Sequence, residues 1–495
     1  MVVHMWAGPP GNFPATLRTH TAVVLAQIAM GLLYAAACLQ SIPRPSRTYP
    51  FWVLGKPLDA SSFTCRALHT LAFEKSVWLV LLDDLRRRCI LDRNCTPNLE
   101  TLSTAEMIEI VKWLITGPRT WSPGELHSDS VAKISRKITL HPTTEHALTL
   151  KWSDVTLLPS GRYVLFSNTN LECWSVANDS LVWTYTSSIE KFRVQEFAAV
   201  ETDTDVTIMF CLDTYLNSNP GPKCIEMVKL DFQTMTHTSL LIAVVPDHTE
   251  TFSGQLICGA LAMVTLNMDT GETLYMILNW KHKSYCILQG ADRDACYGPY
   301  AALIPGHILL AEEDWLYLIS TNTLSNYWAH TIGTDNPQQF SLVSVKDIPK
   351  LRTFEASDVQ QNFGEIYVHG SPIRDGDYSV WIYGTTHIAS RGALLSYRLS
   401  LPTSGDLQWC LQIQSVLEPG LRLETFYQAV TYCGHRLCNP RDPEHAIFST
   451  TLPLTSPRIV LVELPPDMGD RVDIAPYSGA LTYLTDSEVV VQYHR

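Results

Sequence analysis

Four chemical signatures are missing from the 495 residues: no GxxxxGK[ST] loop, no GxGxxG turn, no HExxH and no GxSxG. The chain therefore lacks a motif that cradles phosphate, seats a dinucleotide, binds a protease zinc or presents a hydrolase serine. An active site gathered from scattered loops would leave no such trace, so these absences remove signatures rather than catalysis itself. Basic charge is also short: 36 Lys and Arg stand against 49 Asp and Glu, a formal net charge of −13. Polyanion affinity comes largely from Lys and Arg, so nucleic acid is not an expected partner. The 13 cysteines include no CxxC pair. Cys433 and Cys438 are the tightest late spacing, with His435 between them, but no fourth ligand stands at zinc spacing. Reduced, mostly buried thiols in a cytoplasmic or nuclear protein are the expectation.

What is present is a globular composition. Apolar residues make up 46% and charged residues 17%, enough to bury a core and too much chain for a single one. The 13 Trp and 20 Tyr suit strand-rich structure, where flat rings pack on pleated surfaces.

Residues 1–60 read as a poorly specified leader, with Asp59 their only acid. It surrounds one apolar stretch at 22–42, whose first 18 residues run AVVLAQIAMGLLYAAACL. That length approaches a membrane span, and Ala35, Ala36 and Ala37 resemble a signal-cleavage region. Three readings stay open: a buried helix of a soluble protein, a membrane anchor and a cleaved signal. Asn94-Cys-Thr and Asn178-Asp-Ser would be glycosylation acceptors in an exported chain.

Residues 61–125 are helical in pattern. Leu68, Leu71, Val77, Trp78, Leu81, Leu82 and Leu85 recur at three- and four-residue spacing, with a break near 73–76. Arg86-Arg87-Arg88 falls where that helix should end, favourable for the negative end of its dipole. Ser103 or Thr104 caps a further helix, Glu106 lies in its first turn, and Gly117-Pro118 stops it.

From 131 onward the period changes to two. Val155–Leu158, Tyr163–Phe166, Leu171–Val176 and Leu181–Tyr185 are short apolar runs, with Pro159-Ser160-Gly161 and Asn178-Asp179 as tight connections. They predict one antiparallel four-stranded unit. The rhythm continues through 206–211 with 225–230, and through 260–266 with 274–280 and 284–288. It goes on through 301–311 with 315–320, then 364–369, 379–384 and 394–399, then 427–432, 446–449 and 459–464. Residues 479–484 and 488–493 close the chain and complete a unit begun earlier. A propeller blade takes about 40–45 residues, so 131–495 has room for about seven blades, with six or eight open. A β-sandwich pair is the competing architecture. Radial closure is favoured because it leaves few exposed sheet edges. Asp203 with Asp205, and Asp375 with Asp377, sit beside turns and read as loop caps rather than calcium ligands. The tryptophans at 152, 174 and 183 read as sheet packing.

At 64–85 the run TCRALHTLAFEKSVWLVLLDDL resembles the second half of an F-box, with its Cys-Arg-x-Leu segment, short loop, Val-Trp pair and Leu-rich helix. The wider layout is similar to that of fungal, basidiomycete-type F-box proteins with a long β-rich C-terminal region. LSTAEMIEIVKWLITGPRTWSP (102–123) stands where those carry a post-box helix ending in Trp. WSDVTLLPSGRYVLFSNTNLECWSV (152–176) resembles their first propeller unit, and SGALTYLTDSEVVVQYH (478–494) their closing strands. No Leu-Pro-x-Glu helix opens the box; residues 22–42 occupy its place, so the box is degenerate or incomplete at its N-terminal side.

The resemblance implies a non-catalytic substrate-recognition adaptor of an SCF-type ubiquitin ligase. In it Leu68, Leu71, Val77, Trp78, Leu81 and Leu82 divide between a Skp-family adaptor and the packing of the helices. The β-propeller would hold an unknown protein substrate. No catalytic, cofactor or metal residue is expected. The competing readings are a propeller scaffold without a ubiquitin role, with or without a membrane anchor at 22–42, and a propeller hydrolase or lectin.

Overall fold

The computed structural model describes residues 73–96, 98–121, 131–142, 154–167, 170–186, 192–216, 219–290, 300–312, 315–330, 341–355, 362–385, 392–401, 406–416, 430–438, 445–449, 459–465, 468–469 and 472–494. The leader with its stretch 22–42, Leu68, Leu71 and Trp152 lie outside them. The chain divides into two compact units. One holds the helices, from within Met1–Arg88 and Thr96–Lys112, and the other takes Cys89–Cys95 and Trp113–Arg495. The β unit thus gathers two short segments that the sequence pattern grouped with the helices.

In the helical unit, α1 spans Lys75–Arg87 and begins at the expected break. Val77, Trp78, Leu81, Leu82 and Leu85 form its buried stripe, one face at three- and four-residue spacing. Arg86 and Arg87 occupy its last turn, and Arg87 pairs with Asp83 one turn back at 3.3 Å. Then α2, Thr104–Thr116, opens on a reciprocal cap. The Ser103 amide donates to Glu106 Oε2 at 2.8 Å, and the Glu106 amide donates to Ser103 Oγ at 3.3 Å. It stops at Gly117, whose φ of 78° is open to glycine and unfavourable to other residues.

The described residues of the β unit form seven sheets that follow one another along the chain, antiparallel except where Leu342–Ser344 runs parallel to Ser284–Gln289. The first is Val155–Leu157, Tyr163–Ser167, Leu171–Ser175 and Ser180–Thr184, in sequence order as expected. The second is Phe192–Glu201, Asp205–Leu216, Cys224–Asp231 and Thr236–Val244. The third, Thr249–Cys258, Leu261–Met268, Thr273–Asn279 and Ser284–Gln289, has Ala329–His330 and Leu342–Ser344 added along its last strand. The fourth is Ala301–Ile304, His307–Glu312, Trp315–Ser320 and Arg352–Glu355. The fifth is Asn362–Gly370, Asp377–Thr385, Gly392–Ser400 and Gln408–Val416. The sixth is Arg436–Cys438, His445–Ser449 and Ile459–Glu463, with Val430 bridged to Arg436. The seventh joins Val472–Ile474, Leu481–Leu484 and Val489–His494 to the much earlier Ile134–Leu140. In that last pairing Ile138 lies opposite Val491.

Each sheet packs on the next. Leu165 and Cys173 meet Phe210 and Val228 between the first and second sheets. Met209 and Met227 meet Val264 and Met276 between the second and third. Ile277 and Leu288 meet Ile308 and Ile319, and Leu309 and Leu318 meet Ile366 and Ile382. Trp381 meets Val430, and Val462 meets Leu481 and Val490. Finally Val489 and Val491 of the seventh sheet meet Val155 and Phe166 of the first. The series closes on itself, which is the β-propeller arrangement and not a two-layer sandwich.

Two expectations are corrected in detail. Residues 301–311 are two strands, because Gly306 turns at a φ of 74° between Ile304 and His307. Of 427–432 the described part, from Val430 on, is a single bridge followed by a turn. The strands Thr236–Val244 and Gln408–Val416 carried no clear signal. Thr236–Val244 ends its sheet with much of its length exposed, so apolar alternation is weak there.

Candidate functional site at the ring seam

The seventh and first sheets meet where strands more than three hundred residues apart in sequence must find each other, and polar groups converge there. The segment Cys89–Cys95 crosses this seam as a strap. Asp92 is fully buried and accepts from Tyr493 Oη of the seventh sheet at 2.9 Å and from the Asn94 amide at 2.7 Å. The Asn94 side-chain amide donates to the Gly161 carbonyl of the first sheet and to Tyr493 Oη. The Arg93 amide donates to Ser160 O at 2.8 Å, and its guanidinium pairs with Asp203 of the second sheet at 2.7 Å. Arg136 on the seventh sheet's outer strand donates to Asn94 O at 2.8 Å. Gly161, at a φ of 73°, leaves the room: a Cβ there would stand 2.0 Å from Asp92 Oδ1. Burial pushes the Asp92 carboxyl up to about 6 despite those hydrogen bonds.

Beside it Glu201 is buried and anchored. It accepts from the Ser160 amide at 2.8 Å and the Ser160 hydroxyl at 2.5 Å, with Arg162 at 3.3 Å. Burial raises its pKa, and the Ser160 and Arg162 contacts oppose that. On the exposed rim His141, next after the seventh sheet's outer strand, holds Asp179 of the first sheet at 2.7 Å. Its second ring nitrogen lies 3.9 Å from Glu488 of the seventh. The Asp179 hydrogen bond raises the His141 pKa.

A second buried group lies between the sixth and seventh sheets. Trp121, fully buried, sets its ring 5.0 Å from His435 and 5.4 Å from His494. The Gly479 backbone (φ 62°) approaches the indole so closely that a Cβ would come to 2.8 Å. Cys433 Sγ lies 3.0 Å from His435 Nδ1, with Thr431 Oγ1 3.1 Å from the sulfur. That spacing is the geometry of a Cys–His nucleophile, but the electrostatics are those of a core. Burial pushes the thiol up to about 11 and the imidazole down to about 3. Both groups are therefore neutral near pH 7, and both are buried.

Of the residues expected to bind an adaptor, Val77, Trp78, Leu81 and Leu82 are all buried, Trp78 to 0% exposure. The apolar side chains that α1 shows to solvent are half-buried Leu79 and Val80, and Phe73 just before it is 46% exposed. Sequence reasoning missed these three because they interrupt the buried stripe. Trp174 and Trp183 are sheet packing as read. Asp203 holds Arg93, Asp205 holds Lys229 at 3.0 Å, and Asp377 holds Arg398. No group of three His, Cys, Asp or Glu able to hold a metal exists among the described residues. The Asn94 side-chain nitrogen, which an exported chain would have to present for glycosylation, is engaged inside the seam, and of the two sequon asparagines only Asn178 is exposed.

No protein-family profile matches the chain, and no curated protein sequence matches it. Among solved structures the chain is similar to the β-propeller domain of Myceliophteria thermophila Cps50 (Swd1), at 7% identity over 74% of this chain and 100% of that one, TM-score 0.42. It is also similar to the WD40 domain of SCAP from fission yeast, at 11% identity over 69% of this chain and 84% of that one, TM-score 0.38. A third likeness is to a chain of the mitotic checkpoint complex, at 10% identity over 76% and 96%, TM-score 0.40. These likenesses are loose, and the propeller assignment rests on the sheet order and the closing pair described above.

Proposed function

We propose that this chain is a non-catalytic protein–protein interaction protein: a seven-bladed propeller that recognises a partner, carrying a helical pair that docks a second one. The closed series of sheets carries this reading, because such a ring is a rigid frame whose loops can specify a partner without chemistry of their own. The buried titratable groups described above are held in internal contacts, as expected of framework residues.

The finer form of the proposal is substrate recognition for an SCF-type ubiquitin ligase, with a Skp-family adaptor on the helical side. It is supported by the F-box-like run 64–85 and by the helix beginning at Lys75 after the expected break. In this form Val77, Trp78, Leu81 and Leu82 hold the helices together, and Phe73, Leu79 and Val80 extend toward the adaptor. Pull-down of the full chain from cells tests it. A Skp-type adaptor should be recovered, and Phe73→Asp should reduce it while leaving the chain's abundance unchanged. Recovery of none at equal abundance contradicts the ubiquitin role and leaves the propeller scaffold. Residues 22–42 lie outside the described region, and no helix among the described residues is long and apolar enough to cross a membrane. Carbonate extraction separates a scaffold tethered by 22–42, which stays in the pellet, from one that is not.

A further inference from the structure

The outermost strand of a sheet offers a row of backbone donors and acceptors to any strand that approaches, and the described outer strands of this ring restrain that tendency in recognisable ways. Ile134–Leu140 carries Arg136 and Lys137, Arg352–Glu355 begins and ends on a charge, and Ile459–Glu463 ends on Glu463. Ser180–Thr184, Thr236–Val244 and Gln408–Val416 are each broken in register by a bulge. Ser284–Gln289, the fourth strand of the third sheet, has neither device. Its sequence, SYCILQ, holds no charge and no proline, and it pairs with Thr273–Asn279 without a shift of register. Both its faces are buried: Tyr285 and Ile287 pack toward the second sheet, Cys286 and Leu288 toward the fourth.

Among the described strands, this is also the edge that the chain covers itself. The third and fourth strands of the first three sheets are joined by four residues each, at 176–179, 232–235 and 280–283, whereas the same connection in the fourth sheet runs from 321 to 351. It reaches back to the third sheet. There Ala329–His330 pairs with Tyr285 and Ser284, and Leu342–Ser344 runs parallel to Ile287–Gln289. Leu324, Val343, Val345 and Ile348 hold the connection in place, all buried in one cluster with Cys286, Leu288, Ile308 and Ile319.

We propose that 321–351 is a guard over this edge, and that the edge, once bare, docks a second copy of the chain through the same strand. An antiparallel pair of two Ser284–Gln289 strands suits a two-fold axis, brings no like charges together and buries again the apolar side chains that the guard had covered. Guard and second copy compete for the same backbone groups, so the guarded chain is a monomer and the unguarded chain a dimer.

Val345→Asp puts a charge where the guard is fully buried and leaves the edge strand itself intact. Light scattering over a range of concentrations should show the full-length variant passing from monomer to dimer where the unaltered chain stays monomeric. Cys286, whose thiol is pushed up to about 12 by burial, reports the guard: in the variant held dilute its alkylation, read by peptide mass, should be faster by roughly tenfold. Adding Gln289→Lys to the variant places a charge on the bare edge and should restore the monomer without slowing Cys286. A folded Val345→Asp chain whose Cys286 reacts no faster, or reacts faster while the chain stays monomeric, overturns the proposal. So does a dimer that Gln289→Lys leaves intact. Should Val345→Asp fail to fold, a disulfide made by Ile287→Cys with Leu342→Cys, which pins the guard, must suppress the association that gentle warming produces in the unaltered chain. Equal association of the pinned and unpinned chains overturns it instead.

Discussion

The joint between the fourth and fifth sheets and the joint between the seventh and first do the same geometric work with different chemistry. The former is sealed by Leu309, Leu316, Leu318, Ile366, Val380 and Ile382, all buried, in an apolar cluster between neighbours in sequence. The latter has its own apolar cluster, yet adds the strap, the Asp92–Tyr493 pair and the His141 bridge. Consecutive sheets find each other because the chain between them is short, so burial of apolar area is enough. The closing joint must select one partner strand across the length of the chain. Buried polar groups that are satisfied in only one arrangement supply that choice, at some expense in stability.

The two joints can be separated by perturbation. The largest effect should come from Trp121→Ala at the neighbouring joint of sheets six and seven, where loss of a buried indole costs about 3–5 kcal/mol in denaturant unfolding. Leu318→Ala in the apolar joint of sheets four and five should cost about 2–5 kcal/mol and leave the pH profile of stability unchanged. A changed profile in that variant would erase the contrast drawn here.

Next comes Gly161→Ala. Its Cβ would collide with Asp92, so the strap should be expelled and cleaved readily by protease, with a loss above about 2 kcal/mol. Gly306→Ala is the control: its φ of 74° is similar but nothing lies within 4 Å of the added Cβ, so about 1 kcal/mol of backbone strain is expected with no change at the strap. Equal behaviour of the two variants would show that strain, not seating of the strap, is what the glycine serves.

Tyr493→Phe should then cost about 1–2 kcal/mol, because a buried carboxyl loses a donor. The smallest effect is assigned to the helical unit, where Ser103→Ala should remove about 1 kcal/mol of local stability, seen as faster exchange at the start of α2 and nowhere in the seam.

Much of this ring could be read from the residues. The first sheet was legible strand by strand because Pro159-Ser160-Gly161 and Asn178-Asp179 mark its turns and each run between them is apolar. The second helix was legible from Ser103, Glu106 and Gly117. Outer strands such as Thr236–Val244 were not, because one face meets water and the alternation fades. The seam was illegible for another reason. Asp92, Asn94 and Gly161 stand in a loop and a turn, and their meaning arises only when a strand ending at His494 arrives beside them. The triplet at Asn94 carries no hint of the long-range contacts that half-bury its side chain. Trp78 was noticed as a large aromatic, but whether such a residue faces a partner or the core is a matter of packing, which spacing alone does not decide.

Closure itself is open to one direct measurement. Ile138 and Val491 are directly opposite across the strand pair that completes the seventh sheet, within the separation a disulfide spans. With both changed to cysteine, mild oxidation of the monomer should yield a peptide-mapped intramolecular bond between positions 138 and 491. A chain that folds yet gives no such bond, or gives it only between two molecules, would contradict a ring closed by its own first and last strands.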